Sequence, residues 1–412
     1  MLACVALQLV CPLGTDGVIA RAEPAGPQAT TAPVRAFAAE LAETAGRTNF
    51  TLDLSAGVRA EIFSLADPYR VVIDLPDVAF RLPPEAGRRG RGLVSAYRFG
   101  LFAEGKARIV LDTRGPVRID KAAMDNLPGG KGVRLSVEMV ETDAASFGAG
   151  ARGFPAASSE PAPAVEAQSE PLRAQRHKPV VVIDPGHGGI DPGAIGSTNV
   201  SEKTIALEVG LQLQKRLGEL GRYEVKLTRS SDVFVPLDKR LRLSREWGAD
   251  LFISIHADAI AERQFADSVR GATVYTLSEQ ASDEQARLMA EKENASDLIA
   301  GLDTREVEGL DEVKGILIDL MRRETANFSS DLSNLLVSKL KKSVSLSRDP
   351  QRSAAFKVLK QPDAPSVLVE LGYMSHPEDA KLMTSPQWQR SVAQSIAAAV
   401  DAYFSRRTAR GP

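Results

Sequence analysis

Two of the chain's four histidines stand where an apolar run gives out: His187 follows VVVIDPG and His256 ends LFISIH. Glu370 closes SVLVE in the same way, and Glu202 sits just past a glycine-rich loop, one turn before Ile205. In α/β sheets, loops at the carboxyl ends of strands carry the functional groups. Taken singly, each residue reads as an ordinary hydrogen-bonded loop group. Taken together, two imidazoles and one carboxylate suit a Zn²⁺ site of the catalytic type, which keeps three protein ligands and leaves a fourth position to water. A second carboxylate must then accept a proton from that water and return it to a leaving group, and Glu370 suits the task. The ligands are scattered and no HExxH helix occurs, so spacing alone does not settle the matter. Gly186, Gly188 and Gly189 let the backbone turn sharply and come close to a ligand. Neither GxxxxGK[ST] nor GxGxxG spacing is present, which argues against a nucleotide.

The elements that position these residues are legible as patterns. PVVVIDPG is a continuous apolar run, expected of a strand covered on both faces. Ile205, Val209, Leu213 and Leu217 then step by four, a helical stripe. YEVKLTR, ADLFISIHAD, GATVYTL and PSVLVELGY read as further strands. Ser385-Pro386 caps a closing helix along Trp388, Val392, Ile396, Val400 and Phe404. The alternation predicts an α/β domain with a mixed, mostly parallel sheet flanked by helices.

Ahead of it, TNFTLDLS, VRAEIFSL, YRVVIDLPD, VSAYRFGLF, ARIVLDT and VRLSVEMV are short strands cut by turn signals, the pattern of an all-β sandwich. This module has no histidine or cysteine and is expected to bind rather than to catalyse. Its Arg88, Arg89 and Arg91 read as a solvated loop, with gripping of an anionic polymer as the alternative. Between the modules lies a stretch rich in Ala, Pro, Ser, Gly and Glu, a linker.

The 412 residues suffice for two domains. With 51 basic and 53 acidic residues the net charge is −2, which gives no reason to expect nucleic acid or an anionic membrane as partner. Both cysteines, Cys4 and Cys11, lie in an opening segment whose apolar run Leu2–Leu13 and Ala20-Arg21-Ala22 step resemble an export signal with its cleavage site, although the usual basic start is missing. That segment is too short to span a bilayer. The expected divisions are 1–22 signal peptide, 35–142 sandwich, 143–177 linker and 178–406 catalytic domain, acting in the periplasm as a monomer.

The blocks IDPGHGGIDPGAIG, Ser201-Glu202-Lys203, SIHAD and VLVELGYMS resemble, in order and spacing, the zinc-dependent N-acetylmuramoyl-L-alanine amidases that cleave bacterial cell wall. The resemblance covers the whole second module, and the first is similar to the AMIN domain that targets such enzymes to peptidoglycan. It implies that His187, Glu202 and His256 bind one Zn²⁺, that Glu370 is the catalytic acid/base, and that the bond cut joins N-acetylmuramic acid to L-alanine. At His376 relatives more often carry Asn; we read it as a solvated loop residue. Two other functions remain open: a zinc peptidase acting on stem peptides, and a wall-binding scaffold without catalysis.

Some 85 residues separate GATVYTL from PSVLVELGY, more than a crossover needs. Within them SDEQARLMAEKENASDLIAG predicts a helix starting at Ser282 and ending at Gly301, and Phe328, Leu332, Leu335, Leu336 and Leu340 predict a helix of the fold. The resemblance is closest to division-associated amidases, whose own helix covers the active site until an activator with a LytM-type domain displaces it. It implies a regulatory insert over about 280–325, in which Glu293, or failing that Glu291, blocks the zinc. Solvated surface charge is the alternative for both. The apolar stretch Ile316, Leu317, Ile318, Leu320 and Met321 is the candidate docking helix, with burial in the domain's own core as its alternative.

Overall fold

Frequent turn residues cut the first module into nine strands. The computed structural model describes residues 33–83, 85–147, 178–196, 199–259, 269–302, 315–361 and 363–409, without the side chains of 315–323, 408 and 409. The strands are β1 (Val34–Thr44), β2 (Arg47–Leu54), β3 (Glu61–Leu65), β4 (Arg70–Pro76), β5 (Val78–Phe80), β6 (Val94–Ala103), β7 (Lys106–Thr113), β8 (Val117–Asn126) and β9 (Val133–Glu141). They form two sheets, β5-β1-β2-β9-β8 and β3-β4-β7-β6. Phe50, Leu52, Ile73, Ile109, Leu111 and Val137 belong to one buried cluster drawn from both, as expected of a sandwich. Strands β1 and β8 escape the sequence patterns. VRAFAAELAET is rich in alanine and VRIDKAAMDN turns polar halfway, so neither has the β-branched and aromatic content that marks a strand.

The second module opens with β10 (Val180–Pro185), α1 (Glu202–Glu219), β11 (Glu224–Leu227), α2 (Leu237–Glu246), β12 (Leu251–His256) and β13 (Ala272–Leu277). The insert follows as α3 (Glu284–Asn294) and the single turn α4 (Ser296–Ile299). The long helix α5 (Gly315–Leu340), the strands β14 (Leu346–Ala354) and β15 (Ser366–Glu370), and the helices α6 (Pro377–Met383) and α7 (Pro386–Ala409) complete the domain. The sheet runs β11-β10-β12-β15-β13-β14, parallel throughout except where β13 meets β15.

Strand alternation divides the core between the two faces of this sheet. Val181 and Ile183 point toward α1, α5 and α7, into a cluster with Val209, Leu213, Leu336 and Ile396. Val180 and Val182 join the other face with Leu237 of α2 and Ala286, Met289 and Ala290 of α3. The insert helix is therefore part of the core and not an appendage. Among the described residues no helix is long and apolar enough to cross a membrane.

Two expectations need correction. The insert helix is capped by Asp283 and not Ser282, because the Asp283 carboxylate accepts from the Ala286 amide, 2.9 Å away. The helix also breaks at Ala295 instead of running on to Gly301. The signal segment, nearly all of the linker, and the side chains of Ile316, Leu317, Ile318, Leu320 and Met321 lie outside the described residues.

Ile396 of α7 has no exposed surface and contributes to the α1, α5 and α7 face. Ile396→Ala should destabilise the domain by about 2–5 kcal/mol, read from denaturant unfolding. A change below about 0.5 kcal/mol, typical of a surface site, would contradict this packing.

Candidate metal centre

The order of the sheet creates the site. From β10 the chain passes outward to β11, then returns across β10 to form β12, so a crevice opens between the carboxyl ends of β10 and β12. His187 lies two residues past the end of β10, His256 is the last residue of β12, and Glu370 is the last residue of neighbouring β15, directly opposite His256 in the ladder. Glu202 is the first residue of α1 and points back into the crevice. The structure brings all four together in the interior. Glu202 and Glu370 have no exposed surface, and His187 and His256 retain 5% each.

The loop after β10 is held by its carbonyl groups. The Arg240 guanidinium donates to Pro185 O at 2.9 Å and to His187 O at 2.8 Å, and its Nη1 pairs with the Asp184 carboxylate at 2.7 Å. Thr228 and Ser254 complete the shell of Asp184. Burial alone would raise the Asp184 pKa, but Arg240 and the two hydroxyls outweigh it and hold it below the usual carboxylate range. Arg229 donates to Gly186 O at 2.7 Å, Lys203 O at 2.8 Å and Pro185 O at 2.9 Å. Burial, and then the neighbouring Arg240, lower its pKa to about 10. Held in this way, His187 adopts a left-handed φ of +56°, uncommon for a residue with a side chain. Gly186 has a different reason to be glycine: a Cβ there would lie 2.4 Å from the His256 ring.

Two of the prospective ligands are oriented from behind. His187 donates through Nδ1 to Asp191 at 2.8 Å, which turns the Nε2 lone pair toward the crevice. Glu202 accepts from the Ala194 amide at 2.8 Å and the Ala257 amide at 2.9 Å while facing both imidazoles, His187 Nε2 at 3.2 Å and His256 Nδ1 at 3.0 Å. A fourth group joins them from α3. Glu293 Oε2 lies 3.3 Å from His187 Nε2 and 3.2 Å from His256 Nδ1. One ligand atom from each of His187, Glu202, His256 and Glu293 falls within 4.8 Å of the other three.

His187 Nε2 makes no hydrogen bond despite two carboxylates nearby, and the Oε1 atoms of Glu293 and Glu370 are likewise buried without partners. Buried polar atoms left without partners are costly, and a cation held by the cluster would satisfy that of His187. The donor set, borderline imidazole nitrogen with carboxylate oxygen, suits Zn²⁺.

Burial disfavours charge on His187, yet Asp191, Glu202 and Glu293 together hold its pKa well above the usual value. Burial opposes ionisation of Glu202 too, but both histidines overcome it and its pKa lies well below the ordinary range. Glu370 goes the other way. Its desolvation dominates; His256 pulls the other way, Glu202 and Glu293 add repulsion, and its pKa rises to about 8. The Asp258 amide donates to Glu370 Oε2 at 3.0 Å, leaving Oε1 to face the crevice.

Among the described residues the crevice is nearly filled. Beside His187, His256 and Glu293 a void of about 10 Å³ remains, room for one water at most. Lys292 pairs with Asp258, and Ser296 donates to Asp191 at 2.5 Å, so α3 and α4 are tied to the residues that orient His187 and Glu370. Glu291 is turned outward and pairs with Arg287, away from the cluster. His376 is no solvated loop residue: it precedes Pro377 at the start of α6 and is 9% exposed. Arg88, Arg89 and Arg91 are exposed. Sequence reasoning missed Asp191, Arg229 and Arg240: the first lies within the quoted glycine-rich block without having been given a role, and the two arginines occur in stretches indistinguishable from surface charge.

Residues 181–402 match the family model described as N-acetylmuramoyl-L-alanine amidase, and residues 38–138 match that of the AMIN domain. The N-acetylmuramoyl-L-alanine amidase AmiC of Escherichia coli is 31% identical over 377 residues, 87% of either chain. AmiA of the same species is 38% identical over 228 residues, 55% of this chain and 76% of its own. Among solved structures, the amidase AmiC2 of Nostoc punctiforme aligns with 55% of this chain and 97% of its own at 27% identity, with a TM-score of 0.39.

Two measurements follow from these charges. Arg240→Met leaves Asp184 buried without its counter-ion and should cost about 3–5 kcal/mol in urea unfolding; a loss under about 1 kcal/mol would mean the pair is not holding the loop. In chelator-treated protein the raised pKa values of Glu370 and His187 mean that the folded state binds more protons than the unfolded one as pH rises from about 5 to 8. Stability should therefore fall across that window, while the lowered Asp191 and Glu202 cause the separate loss at acid pH. Glu370→Gln should flatten the alkaline fall, and unfolding midpoints identical at both ends in the unsubstituted protein would refute the assignment.

Proposed function

The chain belongs to the N-acetylmuramoyl-L-alanine amidase family and carries an AMIN domain ahead of its catalytic domain, and from that premise we propose a zinc-dependent periplasmic enzyme held shut by its own Glu293. Its activity is hydrolysis of the amide between N-acetylmuramic acid and L-alanine in peptidoglycan. The convergence of His187, Glu202, His256 and Glu293 ligand atoms within 4.8 Å is the observation that carries the proposal. The first three would hold Zn²⁺ throughout the cycle, and Glu293 would join them only in the closed state. When bound, the metal supplies a Lewis acid that makes water nucleophilic at neutral pH.

The rest of the chemistry belongs to this chain's side chains. Asp191 fixes the His187 ring and its tautomer, and the Ala194 and Ala257 amides fix Glu202. Glu370 Oε1 accepts a proton as water attacks the lactyl carbonyl carbon, and returns it to the nitrogen of L-alanine as the C–N bond breaks. A carboxyl group with a pKa near 8 in the closed site is poised for both halves of that exchange, because neither protonation state is strongly preferred. Glu293 takes up the space beside His187 and His256, and Glu370 has no exposed surface, so in this proposal turnover requires Glu293 to leave.

Export rests on the signal-like opening segment, and a role in wall remodelling and daughter-cell separation rests on the resemblance of the sequence to division-associated amidases. A LytM-type activator is the proposed displacer of α3, and Ile316, Leu317, Leu320 and Met321 are its docking candidates on the strength of their sequence.

Purified wall sacculi incubated with the enzyme should yield glycan stripped of intact stem peptides, identified by mass, and chelator should abolish the reaction. Release of single amino acids would instead indicate a peptidase. Glu370→Ala should lower turnover by roughly 10²–10⁴-fold with zinc content unchanged; loss of metal would make Glu370 a ligand. Deleting residues 282–305 removes core side chains as well as the block, so Glu293→Ala is the cleaner release. It should raise hydrolysis without activator, and an unchanged rate in folded, zinc-loaded protein would refute autoinhibition.

A further inference from the structure

On a two-layer sandwich the outward residues of each strand ordinarily face water. On β4 and β7 they do not: Val72 and Val110, neighbours across the ladder, have no exposed surface. Ala300, Ile190 and Phe234 of the catalytic domain cover them, with Phe63, Leu65, Phe102 and Leu302 at the margin. From the edge strand β6, Leu101 O accepts from the amides of Ile190 and Phe234, 3.2 Å from each. The AMIN domain thus rests on the loop that carries His187.

The same face holds the end of the blocking segment. The turn α4 leaves carbonyl groups without helical partners, and cations are favoured there. Arg70 donates to Leu298 O at 2.5 Å, Arg98 to Ile299 O at 3.2 Å, and Arg108 to Ala300 O at 3.0 Å and Gly301 O at 3.1 Å. Asp112 pairs with Arg98 and Asp74 with Arg108, and the Arg108 guanidinium lies 3.5 Å from the centroid of the Phe102 ring. Pre-oriented guanidinium groups such as these form strong, directional bonds.

We propose that the outer face of the β3-β4-β7-β6 sheet is a clamp for this chain's own segment Leu298–Leu302, so that Glu293 is retained in the metal cluster only while the AMIN domain is docked. Only four residues, 294–297, separate Glu293 from the first clamped carbonyl, that of Leu298, and two of them, Ser296 and Asp297, are anchored to Asp191 and to the Leu237 amide. Wall engagement that draws the AMIN domain off the catalytic domain would release the block from behind, independently of anything that binds α5. The clamp rests on the reading that Glu293 inhibits, and the test separates the two.

Three full-length, zinc-loaded variants decide it: Glu293→Ala, the pair Arg98→Ala and Arg108→Ala, and Gly301→Val. The last leaves the AMIN domain intact and acts from the other side, since Gly301 has φ +72° and a Cβ would lie 3.1 Å from Val110 and 3.3 Å from Val72. Amide hydrogen exchange over residues 284–302 should quicken about tenfold or more in the arginine pair and in Gly301→Val, the scale of losing a charged hydrogen bond. Activator-free hydrolysis of peptidoglycan should rise in both, and neither should add to the rise already produced by Glu293→Ala. If Glu293→Ala raises hydrolysis but the arginine pair and Gly301→Val do not, or if exchange is unchanged in both, the clamp is wrong and autoinhibition stands. If Glu293→Ala has no effect on hydrolysis, autoinhibition fails and the regulatory role of the clamp fails with it.

Discussion

A guanidinium group buried beneath a backbone loop fixes the loop by its carbonyl groups. Arg240 and Arg229 do this for residues 185–187, and the position of His187 depends on them. Without these donors the three carbonyls would either seek water, opening the loop, or remain unsatisfied at a cost of about 1–3 kcal/mol each. Asp184 then becomes necessary, since an unpaired guanidinium in that interior would be costlier still. The chain of dependence runs from Thr228 and Ser254, through Asp184 and Arg240, to the His187 carbonyl and its left-handed backbone.

Charge balance governs what lies above that loop. Glu202, Glu293 and Glu370 share a pocket with His187 and His256, which is too many carboxylates for two imidazoles unless one stays protonated or a cation enters. Burial raises the pKa of Glu370 and is not offset there, whereas both histidines bond to Glu202 and overcome its burial, which is why the two move in opposite directions although both are fully buried. Two buried carboxylates of the same residue type are thus set to opposite protonation behaviour by environment alone. Closure by α3 sharpens the distinction, because Glu293 adds a negative charge and removes water.

The sequence spoke most clearly where periodicity and chemistry coincide. Ile205, Val209, Leu213 and Leu217 fall on one buried face, and His187, His256 and Glu370 stand at strand ends where apolar runs stop. Glu293 could be ranked above Glu291 but not assigned, since both are acids on a charged helix and only tertiary packing turns one inward and the other toward Arg287. Arg229 and Arg240 were illegible for the same reason: a buried ion pair and a surface charge look alike in one dimension. One signal was present and unread. VVI in β4 and IVL in β7 are continuous apolar triplets where a sandwich strand should alternate, the mark of a sheet covered on both sides.

His256 and Glu370 face one another across two parallel strands, in a register shared with Ile255 and Val369 and with Ser254 and Leu368. The hydrogen-bond ladder is therefore the ruler that sets the spacing between a prospective ligand and the proton carrier. A slip of one residue in β15 would turn Glu370 to the opposite side of the sheet, among the helices, while leaving every loop untouched. Lineages of this fold can lengthen, shorten or replace the segments between strands with little effect on the pair, whereas a single inserted residue within SVLVE would uncouple them. The tolerance of the architecture to variation is thus unevenly distributed: wide in its connections, and almost absent along two short strands.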